Sequence, residues 1–130
     1  MDTIQKIECK NNAWFVMSFT ITDGQFSTPS SGDFPIGQSR TIDLSSTKLP
    51  EGTPVWIDVF PVLGSEKAGS EKFAFAMNGK TALYEVTGTL FSYSITFKGI
   101  EDDPAVRPPG PFFLFFKIVL FCNIFNNGIS

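Results

Sequence analysis

The sequence predicts an all-β fold: an antiparallel β-sandwich of about seven strands, Ig-like or jelly-roll-like, with an apolar C-terminal tail appended. Three observations lead there. Apolar residues recur at every second position in several stretches. Turn-forming Gly, Pro and Asn separate those stretches about every 8–15 residues. No stretch repeats apolar residues at i, i+3, i+4 and i+7 between helix caps.

The alternation begins with Ala13, Phe15, Met17, Phe19 and Ile21, which a strand would place on one face with Ser18, Thr20 and Thr22 on the other. Asp23–Asp33 is rich in Ser, Thr, Pro and Gly and reads as a loop. Ile36–Leu44 reads as a strand with Ile42 and Leu44 inward and Arg40 exposed. Pro50-Glu51-Gly52 marks a turn. Val55, Ile57, Val59 and Leu63 then alternate with Trp56, Asp58, Phe60 and Val62. Both faces are largely apolar, so the strand is internal, with Pro61 at its end or at a bulge.

Gly64–Ser70 is a charged loop, and Phe73, Phe75 and Met77 form a short strand. Asn78-Gly79 is the strongest local hairpin signal, because both residues tolerate the positive φ of a type I′ turn. Ala82, Tyr84 and Val86 form the return strand, Gly88 permits another reversal, and Phe91, Tyr93, Ile95 and Phe97 form the last strand. Ala82-Leu83-Tyr84 has a trace of a tyrosine corner, but the inter-sheet cysteine pair and strand-C tryptophan of an immunoglobulin domain are missing.

This divides the chain into a β-sandwich domain over 1–99, an acidic, Pro-rich linker over 100–110 and a Phe-rich tail over 111–130. Six of the 15 phenylalanines fall in that tail, which has neither strand nor helix periodicity. Three readings compete for it. A membrane anchor needs about 20 apolar residues, and this run is shorter and interrupted by Lys117 and Asn123. It could pack on the domain as an extra segment. Or it is not a selected sequence, since Phe, Ile, Leu, Asn and Lys are what AT-rich codons encode past a missed splice site or frame boundary. If made and exposed, it is an aggregation hazard.

Composition removes many functions. A 42% hydrophobic fraction in 130 residues can build one core without staples. The net charge of −3, with no basic run, argues against nucleic acid as a partner. Only two cysteines occur, Cys9 and Cys122, and the first residues contain no apolar leader, so the expected location is cytoplasmic with reduced thiols. There is no histidine, which removes the commonest general base and zinc ligand. No catalytic residue, metal site or cofactor is expected. Asp43, the Ser65-Glu66-Lys67 run and Glu101-Asp102-Asp103 read as solvated surface groups, and Cys9 as a small core hydrophobe.

The tryptophans are the candidate ligand-binding residues. Trp56 lies opposite Val55, Ile57 and Val59, on the same face as Asp58; a ring beside a carboxylate suits a sugar, which stacks on the ring and donates hydroxyl hydrogen bonds. Trp14 stands opposite the Phe15, Met17 and Phe19 stripe, and Arg40 and Asn78 are weaker additions. The leading expectation is a non-enzymatic, lectin-like binding module with glycan partners. One alternative is a lipid-binding, membrane-active defence protein with an aromatic rim; another is a structural or interaction domain that pairs through a sheet edge, including with a second copy of itself.

Overall fold

The computed structural model describes residues 1–102. It contains nine strands: β1 (Thr3–Ile4), β2 (Lys6–Ala13), β3 (Met17–Thr22), β4 (Ser39–Asp43), β5 (Pro54–Pro61), β6 (Lys67–Ala68), β7 (Phe73–Phe75), β8 (Thr81–Thr89) and β9 (Ser92–Glu101). A single 3₁₀ turn, Leu44–Ser46, follows β4, with the Asp43 carboxylate accepting from Ser45 N at its start. One sheet has the order β1-β7-β5-β3, with β6 also paired to β5; the other has the order β4-β2-β8-β9. The all-β sandwich stands.

Alternation builds the core. In β5, Val55, Ile57 and Val59 are buried, while Trp56, Asp58 and Phe60 lie half-buried on the outer face. The strand is internal, as its two apolar faces require, with β3 on one side and β6 and β7 on the other. Phe19, Ile21 and Phe73 from this sheet meet Ile7, Cys9, Tyr84 and Val86 from the other. Each large side chain so buried stabilises the fold by roughly 1.5–3 kcal/mol. Cys9 is a core hydrophobe: burial, with Glu8 nearby, pushes its thiol up to about 12, so it stays neutral.

Several expectations need correction. The sandwich is mixed, because β1 pairs with β7 and β2 pairs with β8 in parallel. Parallel partners are distant in sequence and leave no turn between them to read. The alternation from Ala13 to Ile21 spans two strands in different sheets; the corner at Trp14–Val16 keeps the parity, so the pattern passes through it unbroken. Asn78-Gly79 is no hairpin, since β7 and β8 belong to different sheets. It is a crossover held by the β1–β2 junction. Asn78 Nδ2 donates to Thr3 O, Gly79 N donates to Gln5 Oε1, and Gln5 N and Lys6 N both donate to Lys80 O.

Gly88 makes no reversal either. It sits inside β8 opposite Tyr93, where φ is +114° and a Cβ would meet Ser92 O at 2.5 Å. The strand expected over Ile36–Leu44 is confined to Ser39–Asp43, and Arg40 is half-buried, its guanidinium 5.2 Å from the centre of the Phe34 ring. β9 continues through Ile100 and Glu101, two residues into the expected linker. The rest of the linker and the Phe-rich tail lie outside the described residues.

Candidate functional site

Strand ends define two ends of the sandwich. At one, three connections meet: the β2–β3 corner (Trp14–Val16), the β5–β6 loop (Val62–Glu66) and the two-residue β8–β9 turn (Leu90–Phe91). Their backbones are fixed from beneath. Trp14 N donates to Gly88 O at 3.0 Å and Val62 N to Val16 O at 2.9 Å. Buried Asn11 ties down the corner: its amide donates to Phe15 O (2.8 Å) and Phe34 O (3.0 Å), and its Oδ1 accepts from Ala13 N. The β5–β6 loop presses on the β8–β9 turn so closely that a Cβ on Gly64 would meet Leu90 Cδ1 at 2.8 Å.

These fixed loops turn large apolar side chains outward. Trp14 is 77% exposed, Leu63 85% and Phe91 96%. Between Trp14 and Leu63 lies a hollow of about 260 Å³ lined by Trp14, Phe15, Val16, Val62, Leu63 and Leu90, and Phe91 borders the neighbouring groove instead. Trp14, Val62 and Leu63 thus give this end of the sandwich an apolar outer surface.

Leu63 and Leu90 are also a wall of a second, polar groove of about 650 Å³, which includes Ser65, Glu66, Lys67, Phe91 and Tyr93. Its floor is tightly built. Lys67 Nζ donates to Tyr93 O at 2.7 Å and stands 5.1 Å from the centre of the Tyr93 ring. Tyr93 Oη donates to Ser65 O at 2.7 Å, and its ring meets Phe15 edge-on, 5.2 Å between centres. Burial, with Glu66 adding its charge, raises the Tyr93 phenol, which stays protonated and can donate.

The five candidate residues named from sequence do not converge. Trp56 and Asp58 share the outer face of β5, as expected, but Trp56 pairs with Thr22 at the far end of β3 from Trp14. β3, roughly 17 Å long, lies between their backbone positions. Lys72 Nζ lies 4.5 Å from the Trp56 ring centre, and the indole edge abuts Gly24. Burial, then the Glu66 charge, raises the Asp58 carboxyl. Arg40 lies on edge strand β4 of the other sheet, bonded to Gln38 Oε1, and Asn78 holds the crossover at the opposite end from Trp14. Among the described residues, no group of three His, Cys, Asp or Glu side chains is placed to hold a metal ion.

Sequence reasoning named Trp14 and missed its neighbours. Leu90-Phe91 fills a two-residue turn, where Asn and Gly are the usual residues. Val62-Leu63 follows Pro61 at a strand end. Large apolar residues at turn positions were the available signal.

No protein-family description and no curated protein match this chain. Among solved structures, the membrane-binding domain of pneumolysin is similar, with a TM-score of 0.44 and 11% identity over 76% of this chain and 98% of that one. A non-hemolytic pneumolysin from Streptococcus pneumoniae has a TM-score of 0.46 and 13% identity, over 76% of this chain and 24% of that one. A candidate cell adhesion protein from Bacteroides ovatus has a TM-score of 0.47 and 17% identity, over 76% and 45%. This chain therefore spans about a quarter of the full toxin and under half of the adhesion protein. At these identities the likeness is one of β-rich fold alone.

Proposed function

We propose that this chain is a non-enzymatic binding module that docks at a lipid–water interface through Trp14–Val16, Val62-Leu63 and Leu90-Phe91. The observation that carries the reading is the convergence of three rigidly held loops whose apolar side chains face solvent at one end of the sandwich. A lipid interface accepts side chains inserted singly, and an indole with an apolar body and a polar N–H favours that depth. With a net charge of −3 and no basic run, attachment depends on apolar insertion rather than on attraction to anionic lipid.

A glycan reading draws support from the exposed Trp14 indole, which offers a stacking face. Trp56 supports it less, since Lys72 stands over its ring.

Co-sedimentation of the full chain with phosphatidylcholine vesicles tests the lipid reading. Leu63→Glu and Phe91→Glu should each weaken partitioning by about tenfold or more, and raised salt should change it little. Every variant keeps residues 103–130, so the differences report on the loops alone. Partitioning unchanged in both variants would overturn the reading.

A further inference from the structure

The polar groove beside the apolar hollow has the makings of a headgroup site, and we infer that it takes the phosphocholine headgroup of a membrane lipid; this rests on the lipid reading above. Leu63 and Leu90 belong to both the hollow and the groove. A lipid met by the inserted side chains would therefore bring its headgroup beside Ser65–Lys67 and Phe91. The groove offers one cation and one anion. The Lys67 ammonium is positioned by its bond to Tyr93 O, which leaves two N–H donors for phosphate oxygens. The Glu66 carboxylate has no hydrogen-bond or ion-pair partner among the described residues, and Glu66 lines the groove. Phe91, almost fully exposed, adds an aromatic face, the surface that attracts a quaternary ammonium.

This pairing is complementary to a zwitterion carrying a phosphate and an ammonium. A purely anionic headgroup would leave Glu66 facing like charge, and an uncharged one would use neither ion. The groove volume of about 650 Å³ lies within the range that small ligands occupy, roughly 300–1,000 Å³.

The test compares full-chain binding to vesicles of phosphatidylcholine with binding to vesicles of digalactosyl diacylglycerol with the same acyl chains. Binding to phosphatidylcholine should be about tenfold tighter. Glu66→Gln should reduce it to the galactolipid level while leaving galactolipid binding unchanged, and Lys67→Gln should also abolish the preference for phosphatidylcholine. Glu66→Gln is the cleaner variant, because that side chain makes no bond among the described residues whose loss could disturb the loop. Equal binding to both lipids, or a preference that survives both substitutions, overturns the headgroup inference and leaves the lipid reading intact. No binding to either vesicle overturns both. Binding to the galactolipid alone overturns both and favours the glycan reading.

Discussion

The two ends of the sandwich are held differently, although Met1 and Met77 are exposed at the crossover end as well. At the end bearing the Asn78-Gly79 crossover, polar side chains close the backbone. Gln5 accepts from Gly79 N and donates to Asp43, Asn78 reaches Thr3, and Asp43 caps the 3₁₀ turn. At the other end, Asn11 and main-chain bonds fix the loops from inside, and the outward positions carry Trp14, Leu63 and Phe91. The two tryptophans mirror the division: Trp56 is half-buried beneath Lys72, and Trp14 is 77% exposed. The lesson is a separation of tasks. Polar side chains at one end, and Asn11 beneath the other, stabilise the fold, whereas the exposed apolar ones contribute little to stability and are free to serve contact.

This contrast can be broken in graded steps. The largest effect is expected at Asn11. Asn11→Ala leaves Phe15 O, Phe34 O and Ala13 N without their side-chain partner in a buried setting, and should cost about 3 kcal/mol in urea unfolding. A loss under about 1 kcal/mol would mean that the corner is held by other contacts. Next is Asn78→Ala at the opposite end. It removes exposed hydrogen bonds to Thr3 and Lys80 N and should cost about 1 kcal/mol by the same measurement.

A smaller effect with a definite sign is expected at Asp58. Its folded-state carboxyl is raised by burial and then by Glu66, so the folded state holds the proton more tightly than the unfolded chain. The protonated form therefore favours folding at low pH, and that contribution is lost as pH rises through the raised value. Asp58→Asn should unfold at higher urea than the natural chain at pH 7, with the advantage shrinking toward pH 3. An advantage that grew on acidification would refute the assignment. The smallest effect belongs to the apolar end: Leu63→Ser and Phe91→Ser should each shift stability by no more than about 0.5 kcal/mol. A large loss in either would blur the separation of tasks.

How far the molecule could be read from sequence follows the same division. Period-2 patterns placed Val55, Ile57, Val59 and Tyr93 inward and made Cys9 a core residue, because those signals come from each strand's own burial, but the same alternation extended to Leu63 and Phe91, which lie past the strand ends and are 85% and 96% exposed. Pairing was less legible. Lys6–Ala13 lies parallel to Thr81–Gly88, and nothing local joins stretches so far apart in the chain. Asn78-Gly79 carried a true turn signal, yet the partners that decide its role are Thr3, Gln5 and Lys6, over 70 residues away. At the site, Trp14 was legible as outward-facing. Its convergence with Leu63 and Phe91 was not, because it depends on which strand ends the two sheets bring together. Trp56 and Asp58 share a face as alternation requires; the cover from Lys72 is tertiary and left no mark in the pattern.

The chain's two tryptophans allow the central claim to be tested directly. Trp56→Phe leaves Trp14 as the sole indole, and Trp14→Phe leaves Trp56. With vesicles containing lipids brominated on their acyl chains, Trp14 fluorescence should be strongly quenched and Trp56 fluorescence should not. Equal quenching of both, or quenching of Trp56 alone, would contradict docking through the Trp14 end.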